Sequence, residues 1–136
     1  MLHRLRYLWP FPATALGLTA AAVVVCMGGK ARIVGGVVEV GGGRVGALAR
    51  LFPRVMHFEA ITLGHVVLGS SHAVLYRLRT HEQVHVRQYE RWGVLFFPLY
   101  AGSSLWQLLR GRDPYRHNCF EREAFRVAGA GEDRAA

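Results

Sequence analysis

Residues 80–93 read THEQVHVRQYERWG, and within them His81-Glu82-Gln83-Val84-His85 spell H-E-x-x-H. No other stretch of the chain limits its fold so tightly. Side chains four apart on a helix stand one turn above each other on the same face. On that geometry His81 and His85 offer two imidazole nitrogens to a single zinc ion. Glu82 lies beside the first of them, where a carboxylate reaches a water next to the metal and takes its proton. In a strand the same two histidines would stand about 13 Å apart, too far for one ion.

The helix is expected on independent grounds. Val74, Leu78, His81, His85, Gln88 and Trp92 recur at alternating intervals of four and three, which is one helical face. Ser70 and Ser71 are suited to cap its start and Gly93 to end it, giving a helix of about 22 residues. Both histidines then point inward with Val74, Leu78 and Trp92, while Arg77, Arg87 and Arg91 point out. A lone inward histidine is ordinarily a hydrogen-bonded core residue. Two at metal spacing, with a glutamate between them, favour a bound ion, which supplies the partners that buried imidazoles need.

A chain of 136 residues has room for one domain and a modest core. Its net charge of +8 raises the question of nucleic acid. The basic residues are sixteen arginines and one lysine, with no basic stripe interleaved with aromatics, so nucleic-acid binding is not expected. The apolar fraction of 51% is high and has a local source: Tyr7 to Gly29 contains 23 consecutive uncharged residues. Arg4 and Arg6 precede this run, Lys30 and Arg32 follow it, and Tyr7 and Trp9 sit at interfacial positions. The length and flanks predict a single N-terminal transmembrane helix over residues 1–30 rather than a cleaved signal peptide. The near balance of basic residues at its ends leaves its orientation open.

After the anchor, Ile33-Val34, Gly35-Gly36 and Val37-Val38-Glu39-Val40 read as a short hairpin with a two-glycine turn, ended by Gly41-Gly42-Gly43. No phosphate-loop pattern accompanies these glycines. Arg44 to Phe52 is a short basic, apolar segment that stops at Pro53. From His57 to Leu68 the alternation about Phe58, Ala60 and Thr62, followed by Val66-Val67-Leu68, predicts a strand leading into the cap of the metal helix. His57, His65 and His72 have no partner at ligand spacing and are expected to be structural or surface residues. Val94 to Leu109 carries no charge and is expected to be a helix packed on the metal helix and dipping toward a bilayer. A turn at Asp113-Pro114 follows.

A third ligand is needed, since zinc in hydrolytic sites commonly takes two histidines and a carboxylate and keeps a fourth position open. Asn118 caps a further predicted helix, Cys119 to Arg126. Of the acids beyond Glu90, only Glu121 and Glu123 lie on an ordered element, and pairing of Glu123 with Arg126 would leave Glu121 for the metal. Cys26 and Cys119 are too differently placed to form a disulfide.

The two motifs together, His81-Glu82-Gln83-Val84-His85 and Phe120-Glu121-Arg122-Glu123-Ala124, resemble those of gluzincin zinc metallopeptidases, and among these the membrane-bound peptidases whose second motif is E-x-x-A-D. Residues Ile61 to Arg126 are also similar to small bacterial membrane proteins of unassigned function, which share T-x-G-H-V-V-L, H-E-x-x-H-V-R-Q-Y-E-R-W-G and N-P-F-E-x-E-A; Cys119 takes the place of that proline. The resemblance implies Zn²⁺ held by His81, His85 and Glu121, Glu82 as general base, and Ala124 as the small residue that lets the two helices approach. Phe125 stands where those enzymes carry an aspartate, so an outer carboxylate orienting a histidine is missing. It further implies a peptide or protein substrate laid along an edge strand formed by His65 to Leu68, and an oxyanion donor for which Tyr115 or His117 is available.

The expected architecture is α+β: an N-terminal transmembrane helix, a short β-hairpin and edge strand, and a small helical metallopeptidase core over residues 31–128, with a disordered tail at 129–136. The expected function is that of a zinc peptidase anchored in the bacterial inner membrane, with the lipid bilayer as a partner. Two other classes stay open. One is a non-catalytic membrane protein whose zinc site is structural or degenerate, closed for instance by Cys119. The other is a membrane-surface module driven by positive charge and the Val94 to Leu109 helix.

Overall fold

Glycines 35 and 36 both adopt positive φ, at 59° and 82°, the combination a two-residue hairpin turn requires. They join strands β1 (Lys30–Val34) and β2 (Val37–Gly41) as the sequence pattern indicates. The computed structural model describes residues 7–45, 47 and 59–135. Most of the segment Arg44 to Phe52, together with His57 and Phe58, lies outside the described residues. The run from His57 to Leu68, expected as one strand, is divided. Gly64, at φ 61°, turns the chain between β3 (Ala60–Leu63) and β4 (Val66–Gly69), and a Cβ there would collide with Thr14. The four strands form one sheet in the order β1-β2-β4-β3, with β2 and β4 parallel and the other two pairs antiparallel. β4 is therefore internal. The edge strand beside the histidine helix is β3, not the His65 to Leu68 strand expected from the resemblance.

Helix α1 (Phe11–Cys26) covers one face of this sheet and α2 (His72–Trp92) the other. Strand alternation divides the side chains. Val40 and Val66 pack with Ala21 and Val24 of α1, whereas Val37 and Val67 pack with Leu75 and Val86 of α2. A third cluster, Ala13, Tyr89 and Phe96, closes the core where α1, α2 and the next helix meet. That helix, α3 (Phe96–Leu109), follows a single 3₁₀ turn over Gly93–Leu95, and α4 (Cys119–Ala135) returns along α2. The helical backbone of α4 extends across 129–135, the stretch expected as a tail.

The N-terminal segment is the largest correction. Among the described residues no helix is long and apolar enough to cross a membrane. The uncharged run is cut at Pro10 and again at Met27-Gly28, which leaves α1 with 16 residues. At 1.5 Å per residue that is about 24 Å, short of a hydrocarbon core of roughly 30 Å. Its buried positions are Ala13, Gly17, Ala21 and Val24, a stripe of small residues laid against β3 and β4. A Cβ on Gly17 would stand 2.8 Å from both the Leu63 carbonyl oxygen and Val66 Cβ. The apolar run is thus a layer of the α+β fold, and the expected inner-membrane anchor falls with it. Helix α3, with 14 residues, is shorter still; it docks through Phe96 rather than spanning anything.

His65, expected to be structural, sits buried at the β3–β4 turn and joins three elements. Its backbone N–H donates to Thr14 Oγ1 at 3.2 Å, its Nε2 lies 3.1 Å from Glu90 Oε1, and the Tyr7 ring packs over it at 4.5 Å.

Candidate metal centre

Helix α2 starts where Ser71 accepts a hydrogen bond from the Val74 N–H and ends at Gly93, within a residue of expectation. Its buried arc is wider than the predicted face, because the helix packs on the sheet and on α4 at once. Leu75, Val86 and Tyr89 are buried toward the sheet and α1, and His81, His85 and Gln88 toward α4. Val74 and Leu78 are half-buried, and Trp92, expected inside, is exposed. Arg79 fixes the rotation of the helix: its guanidinium forks onto the buried Glu39 carboxylate of β2 at 2.7 and 2.9 Å.

That rotation and the approach of α4 bring His81, His85 and Glu121 together. His81 Nε2 lies 3.2 Å from His85 Nε2 and 3.1 Å from Glu121 Oε2, and His85 Nε2 lies 3.4 Å from Glu121 Oε1. Ligands about 2.0–2.1 Å from a tetrahedral ion stand about 3.3 Å apart, so these separations match the edges of such a site. All three residues are buried, and Glu121 Oε2 accepts no well-directed hydrogen bond although it faces His81. An orphaned buried carboxylate oxygen facing an imidazole nitrogen is what a cation satisfies. The three residues form a group able to hold a metal ion. Cys119, the residue available to close the site, is exposed and outside the group.

The charges within the triad are mutually adjusted. Burial pushes the Glu121 carboxyl upward, but the facing imidazoles of His81 and His85 and the Tyr100 hydroxyl outweigh it and hold the pKa at about 2. Burial would lower His85, yet its pairing with Glu121, the nearby charge of Glu82 and a bond to Gln88 raise it.

Three residues that hold the site have no role at it assigned from the sequence. Gln88 places its Oε1 2.8 Å from His85 Nδ1, and its amide nitrogen donates to Phe120 O at 3.1 Å and Glu123 Oε2 at 2.8 Å. With both amide hydrogens used, its carbonyl is turned to His85, which keeps the proton on Nδ1 and the Nε2 lone pair free. Gln88 and Glu123 thus orient His85, the task left open by Phe125. Phe125 packs its ring on His81 at 4.8 Å instead. Glu123 lies outside the triad and accepts from Gln88. Tyr100 of α3 donates to Glu121 Oε1 at 2.6 Å. Thr62 of β3 donates to Glu82 Oε2 at 2.7 Å, and Glu82 is 6% exposed. The signals were present but faint: Gln88 lies three residues after His85, Thr62 shares the inward parity of its strand, and Tyr100 lies one turn after Phe96.

Asn118 caps α4 as expected and does more. It is fully buried; its Oδ1 accepts from the Phe120 N–H, and its Nδ2 donates to Tyr100 O at 3.1 Å and Ser104 Oγ at 2.7 Å. Ala124, also fully buried, gives the close approach of α4 to α2. The triad and Glu82 open on a cavity of about 270 Å³ that Tyr115 also lines. Burial and the Glu121 charge raise the Tyr115 pKa, so its hydroxyl stays a donor. His117 is exposed and lines no part of this cavity.

No protein-family model matches the chain, and no curated protein or solved structure matches it either.

Proposed function

We propose that the chain is a zinc-dependent peptide hydrolase in which His81, His85 and Glu121 hold the ion and Glu82 is the general base. One observation carries this reading: Glu82, not part of the triad, is buried beside it and lines the same cavity, with one carboxylate oxygen fixed by Thr62. A carboxylate that served only packing would gain nothing from facing that cavity.

Zinc held by His81, His85 and Glu121 would supply Lewis acidity, which lowers the pKa of a water toward neutrality and polarises a carbonyl. Glu82 keeps Oε1 available to take the proton as the water oxygen bonds to the carbonyl carbon. It then returns that proton to the nitrogen as the C–N bond breaks. Tyr115, protonated at the cavity wall, is the donor assigned in this reading to the oxygen that gains charge.

A peptide is favoured over other acyl substrates by the strand beside the site. The Ser70 N–H donates to Glu59 O at 3.1 Å, which makes Glu59 and Ser70 a hydrogen-bonded pair of the β3–β4 ladder. By antiparallel alternation, Ala60 and Thr62 then turn their N–H and C=O groups away from β4. No strand pairs with that edge among the described residues. An extended peptide there finds backbone partners next to Glu82.

Glu82→Gln tests the reading. Zinc content and fold are expected to persist, while cleavage of an unstructured casein-like substrate falls by about 10²–10⁴. Equal cleavage by both proteins defeats the reading, and zinc loss in the variant would make Glu82 a ligand.

A further inference from the structure

We infer that the cavity beside the triad is a side-chain pocket that selects a bulky apolar residue of the peptide, and that helix α3 sets this selection. The inference rests on the hydrolase reading for its substrate class. Two helical rows of α3 face the cavity: Phe96 and Tyr100, and, one residue on, Phe97 and Ala101. Ala60, Ile61, Leu63 and Tyr89 complete the apolar wall. The charged groups lining it are the triad and Glu82, already engaged with one another and with Thr62 and Tyr100. A charged side chain of a peptide would lose its hydration against this wall, and Glu82 Oε1, the carboxylate oxygen that neither Thr62 nor the ion engages, is taken by the water in the proposed reaction; an apolar side chain gains by burial.

Size points the same way. The cavity holds about 270 Å³, and an apolar cavity of about 150 Å³ already accommodates a benzene ring. One aromatic or branched side chain therefore fits with a length of backbone. A second cavity shares Ala60, His81, Glu82 and Tyr115 with the first but extends toward Glu59, Leu78 and Phe125, at the other end of β3. The two cavities therefore flank the reactive groups, and a chain crossing the site places one residue in each. The aromatic one lies on the Leu63 side.

The test uses zinc-loaded protein and decapeptides of glycine and serine with a single central Gly, Leu or Phe, so that one side chain alone reports on the pocket. Binding is followed by NMR shift titration, and mass spectrometry of the same mixtures reports cleavage. The Leu and Phe peptides are expected to bind about tenfold or more tighter than the Gly peptide. Ala101→Phe, which fills the pocket from an exposed helix position, is expected to bring the three affinities together with zinc content unchanged. Phe97→Ala, which removes one wall at a residue already 42% exposed, is expected to shrink the preference and serves if Ala101→Phe does not fold. Equal binding of the three peptides by the wild type, or no binding of any at millimolar concentration, overturns the inference. So does a preference that survives unchanged in both variants. A preference in binding without cleavage sinks the hydrolase reading and leaves the pocket standing; cleavage without preference does the reverse.

Discussion

Helices α1 and α2 cover opposite faces of one sheet and are held there by different physics. α2 is fixed by directional bonds: the Ser71 cap, the Arg79 fork on Glu39, and Thr62 on the Glu82 carboxylate. α1 is fixed by shape, a stripe of Ala13, Gly17, Ala21 and Val24 against the strands, with Thr14 tying it to His65 at the sheet turn through the His65 backbone N–H and ring. Polar bonds specify the rotation of a helix about its axis. Small residues specify how close it comes. The site needs the first, since a rotation of α2 would part His81 and His85 from Glu121. It needs the second only indirectly, because α1 backs the strands that carry Thr62 and Leu63.

The largest expected effect follows from breaking the directional side. Arg79→Met leaves the Glu39 carboxylate, 4% exposed, without its partner. A fully buried pair broken in this way costs roughly 3–5 kcal/mol; water reaches the guanidinium here, so about 3 kcal/mol is expected in chemical denaturation. Metal affinity should fall with it. An Arg79→Met protein as stable as wild type would mean that packing alone orients α2.

A smaller loss is expected on the shape side. Gly17→Val drives a side chain into the Leu63 carbonyl and Val66, and overpacking of this kind costs about 2 kcal/mol. Because α1 carries no site residue, zinc stoichiometry of the folded variant should stay at wild-type level. Stability unchanged by Gly17→Val would place α1 farther from the sheet than described.

The smallest effect separates the two helices by pH. In metal-free protein the raised pKa of His85 contributes stability that is fully present below its ordinary value of 6.5 and lost as pH rises through the folded value. The lowered pKa of Glu121 contributes stability present above its ordinary value of 4.5 and lost as pH falls toward about 2. Thermal unfolding in chelator should therefore be highest between pH 4.5 and 6.5. With zinc the maximum should move above that window, since the ion needs neutral imidazoles. Gly17→Val should lower the whole curve without moving its maximum. An identical pH optimum with and without metal would count against the triad as the metal site.

The same contrast explains what was legible in the sequence. The spacing of His81 and His85, the Ser71 cap, the Gly35-Gly36 turn and the Asn118 cap are local signals, and each matches the structure. Glu121 was recoverable because few acids follow Glu90. The α1 segment misled because a run without charges has no polar face to show which side is buried. Its small residues at positions 13, 17 and 21 carry the information, and length drew attention away from them. Thr62, Gln88 and Tyr100 act across elements 20 or more residues apart, or through a residue already assigned a role, and no single-chain periodicity reports such pairings.

Asn118 binds α3 to α4, and through Tyr100 that same contact reaches Glu121. Docking of α3 and placement of the carboxylate are consequently one equilibrium observed at two ends. Thermodynamic reciprocity then fixes a relation between them: the factor by which an ion tightens α3 equals the factor by which a tightened α3 favours the ion. On the proposed reading, a peptide side chain resting on Phe97 and Ala101 would load the same helix, so that occupancy of the pocket and of the triad would be linked.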